Sequence, residues 1–282
     1  MSEKSGVLKR LFRTKESGII LIMIVLSVLI QIKNPIFFTY SNIIDVLRNT
    51  SYTLVIAVGM TFVLIAKGLD LSVGSVMAFG GLICALAMFN GVPIFLAVLL
   101  GLLVGACFGL INAVCIVKLN IPAMIASLGT MYMARGLVLI VTKGSPVFPL
   151  PEAFGKFGKG YLLGVPYVVV IALVLAVIGH IVLTNTTYGR MVYAIGGNAE
   201  TAKFAGINVT LITASCYLIS STLAALAGIL TAARMGSGQP SIGDGTEMTV
   251  ITAVIIGGTS LNGGAGTMLG TVLGALLMNV LY

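Results

Sequence analysis

The chain has 282 residues, of which 58% are hydrophobic and only 9% charged, with a mean hydropathy of +1.13. A water-soluble domain carries about 25% charged residues, so this composition excludes a soluble fold. The net charge of +8, from 16 basic and 8 acidic residues, comes without the aromatic–basic interleaving of a nucleic-acid surface.

In chain order, residues 1–17 hold five basic side chains (Lys4, Lys9, Arg10, Arg13, Lys15) ahead of any apolar stretch. That cluster is an orientation signal and places this end in the cytoplasm. The first apolar stretch is followed by Gln31-Ile32-Lys33-Asn34-Pro35, with no small-x-small cleavage site, and reads as an uncleaved helix. A helix needs about 20 apolar residues to cross roughly 30 Å of hydrocarbon. On that basis nine membrane segments are expected, at 18–32, 50–66, 73–90, 92–117, 123–142, 165–183, 210–233, 248–260 and 266–282. The fold is then all-α: a polytopic transmembrane helix bundle over 18–282, some of its helices short or broken. Segment 248–260 is the weakest, because Gly257-Gly258 and Asn262-Gly263-Gly264 interrupt it. Irregular backbone at membrane depth survives only inside protein or beside a water-filled cavity, and transporters place broken helices near their pathways. Alternation puts 184–209 in the cytoplasm, with Lys67, Lys118, Arg190 and Lys203 also inside. It leaves Lys33, Arg48, Lys143, Lys156, Lys159 and Arg234 outside.

Small residues recur four apart at Gly101/Gly105/Gly109, Ser220/Ala224/Gly228 and Gly266/Gly270/Gly274, the pattern that lets membrane helices approach closely. A weak internal echo links 68–74 with 258–264. Cys84, Cys107, Cys115 and Cys216 lie in apolar runs without metal-ligand or CxxC spacing, and His180 reads as a structural histidine.

Enzyme signatures are missing. Gly155-Lys156-Phe157-Gly158-Lys159-Gly160 lacks the Ser or Thr of a phosphate loop, and the glycines of 264–270 lack dinucleotide spacing. The acids (Glu3, Glu16, Asp45, Asp70, Glu152, Glu200, Asp244, Glu247) all read as loop or helix-end residues; only Arg135 clearly lies within a segment, near enough to its end to snorkel. Ion-coupled transporters carry ionisable residues in their helices. A transporter without them, and without an ATPase motif, takes its energy from another subunit.

Three loops carry the remaining chemistry. In 67–75, Asp70 or Ser72 either caps the next helix or lines a pathway. In 184–209, Asn198 is an N-cap, 199–205 is helix-compatible and Gly206 suits the C′ position; a two-turn helix outside the membrane follows, a docking element or a plain connector. The loop 234–247 is rich in glycine and ends with Asp244 and Glu247 at a helix start, where negative charge suits the dipole. It is a capped loop or a partner surface.

Together these stretches resemble the ribose-type permeases of bacterial ABC importers, the group serving simple sugars and autoinducer-2. The likeness rests on Gly68-Leu69-Asp70-Leu71-Ser72-Val73-Gly74-Ser75, Ile121-Pro122-Ala123, Leu128-Gly129-Thr130-Met131, Arg135-Gly136, Tyr188-Gly189-Arg190 and Gly196-Gly197-Asn198. It continues through Ala202, Gly206-Ile207, Pro240, Gly243, Gly245, Glu247 and 256–264. The resemblance implies a multi-pass subunit of the bacterial inner membrane, paired with itself or a close relative. A cytoplasmic ABC ATPase holding ATP and magnesium would drive it, and an extracytoplasmic binding protein would deliver the sugar; this chain would need no cofactor. Gly196, Gly197, Asn198, Glu200, Ala202, Lys203, Gly206 and Ile207 would form the coupling helix on the ATPase. Asp70, Ser72, Asn112, Thr130, Arg135, Thr259, Ser260 and Asn262 are candidates for pathway or gate, and Arg234, Asp244 and Glu247 for docking the binding protein. Full-length members have a tenth segment. The alternatives are a permease for branched-chain amino acids or nucleosides and, from another class, an ion-coupled secondary transporter.

Overall fold

A computed structural model describes residues 15–281; Lys4, Lys9, Arg10 and Arg13 of the basic N-terminus lie outside the described residues. The chain forms α1 (Lys15–Lys33), α2 (Tyr40–Ile65), α3 (Val73–Phe89), α4 (Ile94–Ala113, running on through one π turn, Val114–Lys118) and α5 (Ala123–Thr142). There follow α6 (Glu152–Lys159), a hairpin of β1 (Tyr161–Leu162) and β2 (Val165–Pro166), α7 (Tyr167–Asn185), α8 (Thr187–Gly197) and α9 (Ala199–Phe204). The last three are α10 (Val209–Met235), α11 (Thr246–Ile256) and α12 (Met268–Leu281). Five of these, α2, α4, α5, α7 and α10, are long and apolar enough to cross a membrane; α1, α3, α11 and α12 are shorter apolar helices. The protein is an all-α polytopic bundle.

Helix α10 is the axis of the bundle, packed on α4, α3 and α2. Small residues make that possible. A Cβ on Gly105 would lie 2.6 Å from both Ala225 Cβ and the Ser221 carbonyl, and one on Gly59 would lie 2.6 Å from Ser220 Cα. At these points backbones touch, and the dispersion gained there replaces the hydrophobic driving force that lipid does not supply. The glycine stripe of α4 therefore faces α10.

Loops 184–209 and 143–166 lie at opposite ends of the bundle, termed near and far. Gly196 abuts the last carbonyl of α2 at the near end, whereas Val147 pairs with Gly238 just beyond the end of α10 at the far end.

The helix boundaries depart from expectation in three places. Helix α2 starts at Tyr40, ten residues before the apolar stretch, because the polar turn there is held by an Asp45–Arg48 pair (3.5 Å) and by Arg234 of α10, 3.3 Å from Asp45. Segment 248–260, by contrast, breaks where its paired glycines are expected to break it: it is an 11-residue helix that stops at Gly257-Gly258. Helices α6 and α8 were not expected. Phe154 of α6 is buried beside Ile229 and Ala233, and Gly158 lies directly on the α10 backbone at Arg234; α8 is capped by Thr186 Oγ1, which accepts from Gly189 N (3.1 Å).

Candidate functional site

The turn between α2 and α3 folds back into the bundle. Asp70 is fully buried, and its carboxylate accepts hydrogen bonds from Ser72 N (3.0 Å), Ser72 Oγ (2.6 Å) and Asn112 Nδ2 (3.4 Å) on one oxygen. On the other it accepts from Ser220 Oγ (3.0 Å) and Ser221 Oγ (3.4 Å). Asn112 also donates to Ser72 Oγ (2.9 Å) and accepts from Thr130 Oγ1 (2.7 Å). Four candidates from three separate stretches of the sequence, Asp70 with Ser72, Asn112 and Thr130, thus share one polar node with two serines of α10. Buried charge is tolerated only when its hydrogen bonds are made, and here five donors surround it.

The node corrects one sequence reading. Ser220 is three turns into α10, about 16 Å from its start by helical pitch, so Asp70 sits inside the bundle rather than at a helix end at its edge. The expected side-chain cap is not made: Ser72 occupies the N-cap position of α3 without a side-chain cap hydrogen bond, and Asp70 accepts from the N–H of Ser72 itself, in the turn before the helix.

The loop after α10 is also not a surface loop. Gly238 lies against Leu82 and Ala85 of α3, and Gly243 lies directly on Gly74, so the chain runs back along α3 towards its first turn. Gly74 is four turns, about 22 Å, from the far end of α3. This explains why α11 is a half-length helix: it starts inside the bundle. Backbone carbonyls at that depth need donors, and Arg135 supplies them, bonding the carbonyls of Pro240 (2.9 Å) and Ile242 (3.1 Å) while pairing with Asp244 at 2.6 Å. Arg135 does not snorkel. Asp244 and Glu247, expected on a docking surface, lie at this depth instead; a Cβ on Gly74 would sit 2.5 Å from Glu247 Oε2. Arg234 is at the far end, bonded to Asn49 Oδ1 (2.9 Å) and Asp45 Oδ1 (3.3 Å).

At the near end, α8 and α9 form a corner. Asn198 Oδ1 caps α9 by accepting from Thr201 N (2.9 Å), and Gly206 takes φ +84°, the left-handed C′ conformation. Gly196 fits beneath the Ile65 carbonyl, which accepts from Gly264 N (2.9 Å), and Gly263 packs on Gly196 and Lys67. The two echoing turns, 68–74 and 258–264, are thus joined through the end of α2. Thr259, Ser260 and Asn262 belong to this near-end turn and not to the Asp70 node; Ser260 Oγ accepts from Asn262 N (3.2 Å).

Ala202 is only 3% exposed and faces the bundle, as does Gly196, so neither offers a docking surface. Gly197, Asn198, Glu200, Lys203 and Gly206 are exposed and Ile207 is partly covered. Sequence reasoning missed Phe204, which is 92% exposed at the end of α9. An aromatic at the tip of a capped helix in a polar loop was the available signal.

The family described as branched-chain amino acid transport system / permease component matches residues 42–282. The ribose import permease protein of Haemophilus influenzae is 40% identical over 263 residues, covering 92% of this chain and 81% of that protein. The ribose import permease protein of Bacillus subtilis is 39% identical over 278 residues, covering 98% and 84%. The D-allose transport system permease protein of Escherichia coli is 33% identical over 281 residues, covering 99% and 86%. No solved structure matched. With a polytopic bundle and similarity along nearly its whole length, this chain belongs to the sugar ABC importer permease family.

Proposed function

We propose that the chain is the membrane subunit through which an ATP-driven importer moves a simple sugar, a ribose-like pentose or a hexose, across the bacterial inner membrane. The observation that carries this is the 39–40% identity to ribose import permeases over 92–98% of the chain. It favours sugar over the branched-chain amino acids named in the family description. ATP and magnesium reside on a separate cytoplasmic ATPase, an extracytoplasmic binding protein delivers the substrate, and a second permease subunit completes the pathway.

The near-end corner supports coupling. Glu200, Lys203 and Phe204 project outward, while Gly196 on the inner side touches the end of α2 and the α11–α12 turn. A push on α9 therefore reaches α2 and α11 through backbone contacts, with no flexible side chain between. The Asp70 node ties α3, α4, α5 and α10 together, so these helices move as a unit.

The test is uptake of labelled ribose, other simple sugars and leucine into proteoliposomes holding the permease with its ATPase and binding protein. ATP-dependent uptake of a sugar, absent without either partner, is the expected result. Leucine uptake alone, or uptake by the isolated chain driven by an ion gradient, would overturn the proposal.

A further inference from the structure

Helix α4 ends in an unusual way. Its last turn, Val114–Lys118, is a π turn, closed by Leu119 N bonding the Val114 carbonyl (3.1 Å) and by Ile121 N reaching back to the Cys115 carbonyl (3.0 Å). Asn120 then takes φ +53°, a left-handed conformation that few residues besides glycine adopt. Widened turns of this kind recur at functional sites. Here the π turn and α9 both pack on α10, and a cavity of about 610 Å³ lies between them, lined by Val117, Asn120, Lys203, Asn208, Thr210 and Thr213 among others. Pockets that hold small molecules or headgroups fall in this size range. The clefts between α1 and α2 and between α4 and α10 beside α6 are lined mainly by apolar side chains; this one is polar. The hydroxyls of Thr210 and Thr213, the Asn120 amide and the Lys203 ammonium have no hydrogen-bonding partner among the described residues.

Position and charge say what the cavity holds. Leu110 and Val114 are exposed on the turns of α4 just before it, and Lys118 and Asn120 are exposed just beyond. An apolar face giving way to basic residues marks the boundary between hydrocarbon and headgroups. Lys203 lines the cavity, and Lys118 follows the lining residue Val117 in sequence. Neither lysine is in an ion pair among the described residues, and neither is Glu200, the acid on α9. We infer that this cavity binds the phosphodiester headgroup of an anionic phospholipid from the cytoplasmic leaflet. The lysines supply positive charge where that leaflet is negative. The two hydroxyls and the Asn120 amide donate to phosphate oxygens, and Leu110 and Val114 offer the acyl chains an apolar surface. A free anion would need no such surface. Phe204 and Glu200 do not line the cavity, so a headgroup there leaves them open to the ATPase. The proposal rests on the transporter reading above, which makes the near end cytoplasmic. It adds a ligand that braces α9 against the end of α4.

The test uses the assembled transporter, permease with its ATPase, stripped of lipid in detergent and given a mixture of phosphatidylglycerol and phosphatidylcholine. Lipid retained per permease is counted by mass spectrometry. The wild type should keep phosphatidylglycerol in preference to phosphatidylcholine. Lys118→Gln combined with Lys203→Gln should weaken that retention by roughly 30-fold, about 1 kcal/mol for each lysine. Thr210→Glu puts a negative charge into the cavity with both lysines intact, and it should also lose the lipid. An acid in the first turn suits the dipole of α10, and thermal unfolding in parallel confirms that each variant is folded. Arg190→Gln, an exposed near-end cation outside the cavity lining, should retain lipid like the wild type. Unchanged retention in the lysine pair or in Thr210→Glu would overturn the cavity as the site. Equal loss in Arg190→Gln would overturn it in favour of diffuse surface charge. Displacement of the lipid by inorganic phosphate would overturn the lipid in favour of a free anion. Retention by the permease alone that vanishes in the assembled transporter would assign the cavity to the ATPase instead. None of these readouts requires transport, so a failure of the sugar reading shows separately, as absent uptake by the wild type.

Discussion

Replacing Asp70 by alanine tests whether the carboxylate holds the bundle together. Three of its hydrogen bonds are 3.0 Å or shorter, from Ser72 N, Ser72 Oγ and Ser220 Oγ. A hydrogen bond to a charged group is worth about 1.5–3 kcal/mol, and a buried donor left without a partner costs about 1–3 kcal/mol. The loss is not the sum of these. The hydroxyls of Ser220 and Ser221 can turn to carbonyls one helical turn back, and Ser72 Oγ keeps its bond from Asn112. The Ser72 N–H cannot turn, and the desolvation cost of the carboxylate is relieved when it is removed. The balance is a destabilisation of about 2–4 kcal/mol, which corresponds to a drop in Tm of roughly 4–16 °C at the usual size scaling. Asp70→Asn retains one acceptor and should lose about half as much. The assay is thermal unfolding in detergent, read by aggregation or by exposure of the buried cysteines, with uptake measured in parallel. Unchanged Tm for Asp70→Ala would refute the tie. If uptake were abolished at unchanged Tm, the carboxylate would act on the transport cycle instead.

Gly105→Leu should be more damaging, because even its Cβ would sit 2.6 Å from the Ser221 carbonyl of α10; overpacking costs about 1–3 kcal/mol where side chains can shift, and here backbone must move, so little folded protein should be recovered, whereas normal yield would mean that α4 and α10 do not touch. Phe204→Ser removes an exposed ring and should leave Tm unchanged, since surface changes fall within about 0.5 kcal/mol; ATPase co-purification should fall by roughly 30-fold if the ring is an interface anchor worth about 2 kcal/mol, and unchanged co-purification would remove Phe204 from the contact. Single cysteines at Asn198, between α8 and α9, and at Lys156, in α6, which lie at opposite ends of the bundle, should react with impermeant reagent from the cytoplasmic and external sides respectively, and same-side reaction would overturn the orientation.

The apolar spans were legible because hydropathy and length alone define a crossing, and the break at Gly257-Gly258 was legible because paired glycines interrupt a short helix. Helices α6 and α8 were not. Each contains glycines that lower helix propensity, and each is stabilised by what those glycines touch: Gly158 the backbone of α10, Gly189 the last turn of α7. Such contacts are tertiary, and no local window holds them. The first turns of α2 were missed for a related reason. Asp45, Arg48 and Asn49 look like a loop until Arg234, remote in the chain, bonds Asp45 and Asn49, with Arg48 also paired to Asp45.

The candidate residues were harder to place than the helices, because a loop in sequence need not be a loop in space. Asp70 and Asp244 both precede helices, and both read as loop or helix-end residues in the sequence. Each helix, α3 and α11, is too short to span, and a short helix leaves part of the membrane thickness to be crossed by its flanking chain. That chain must bring its own polar partners, because lipid offers none. An acid beside a glycine-rich turn at the start of a helix of 17 or 11 residues is therefore better read as paired with a remote helix than as a surface cap. What the sequence could not supply was the identity of the partner: Arg135 for the connector, and Asn112 with Ser220 for the turn, come from helices set by the packing of α4 and α10. The glycine stripes carried part of even that information, since Gly105 and Gly109 seat α4 on the stretch of α10 that contains Tyr217, Leu218 and Ser221. The same close approach brings Asn112, one turn beyond Gly109, within reach of the node.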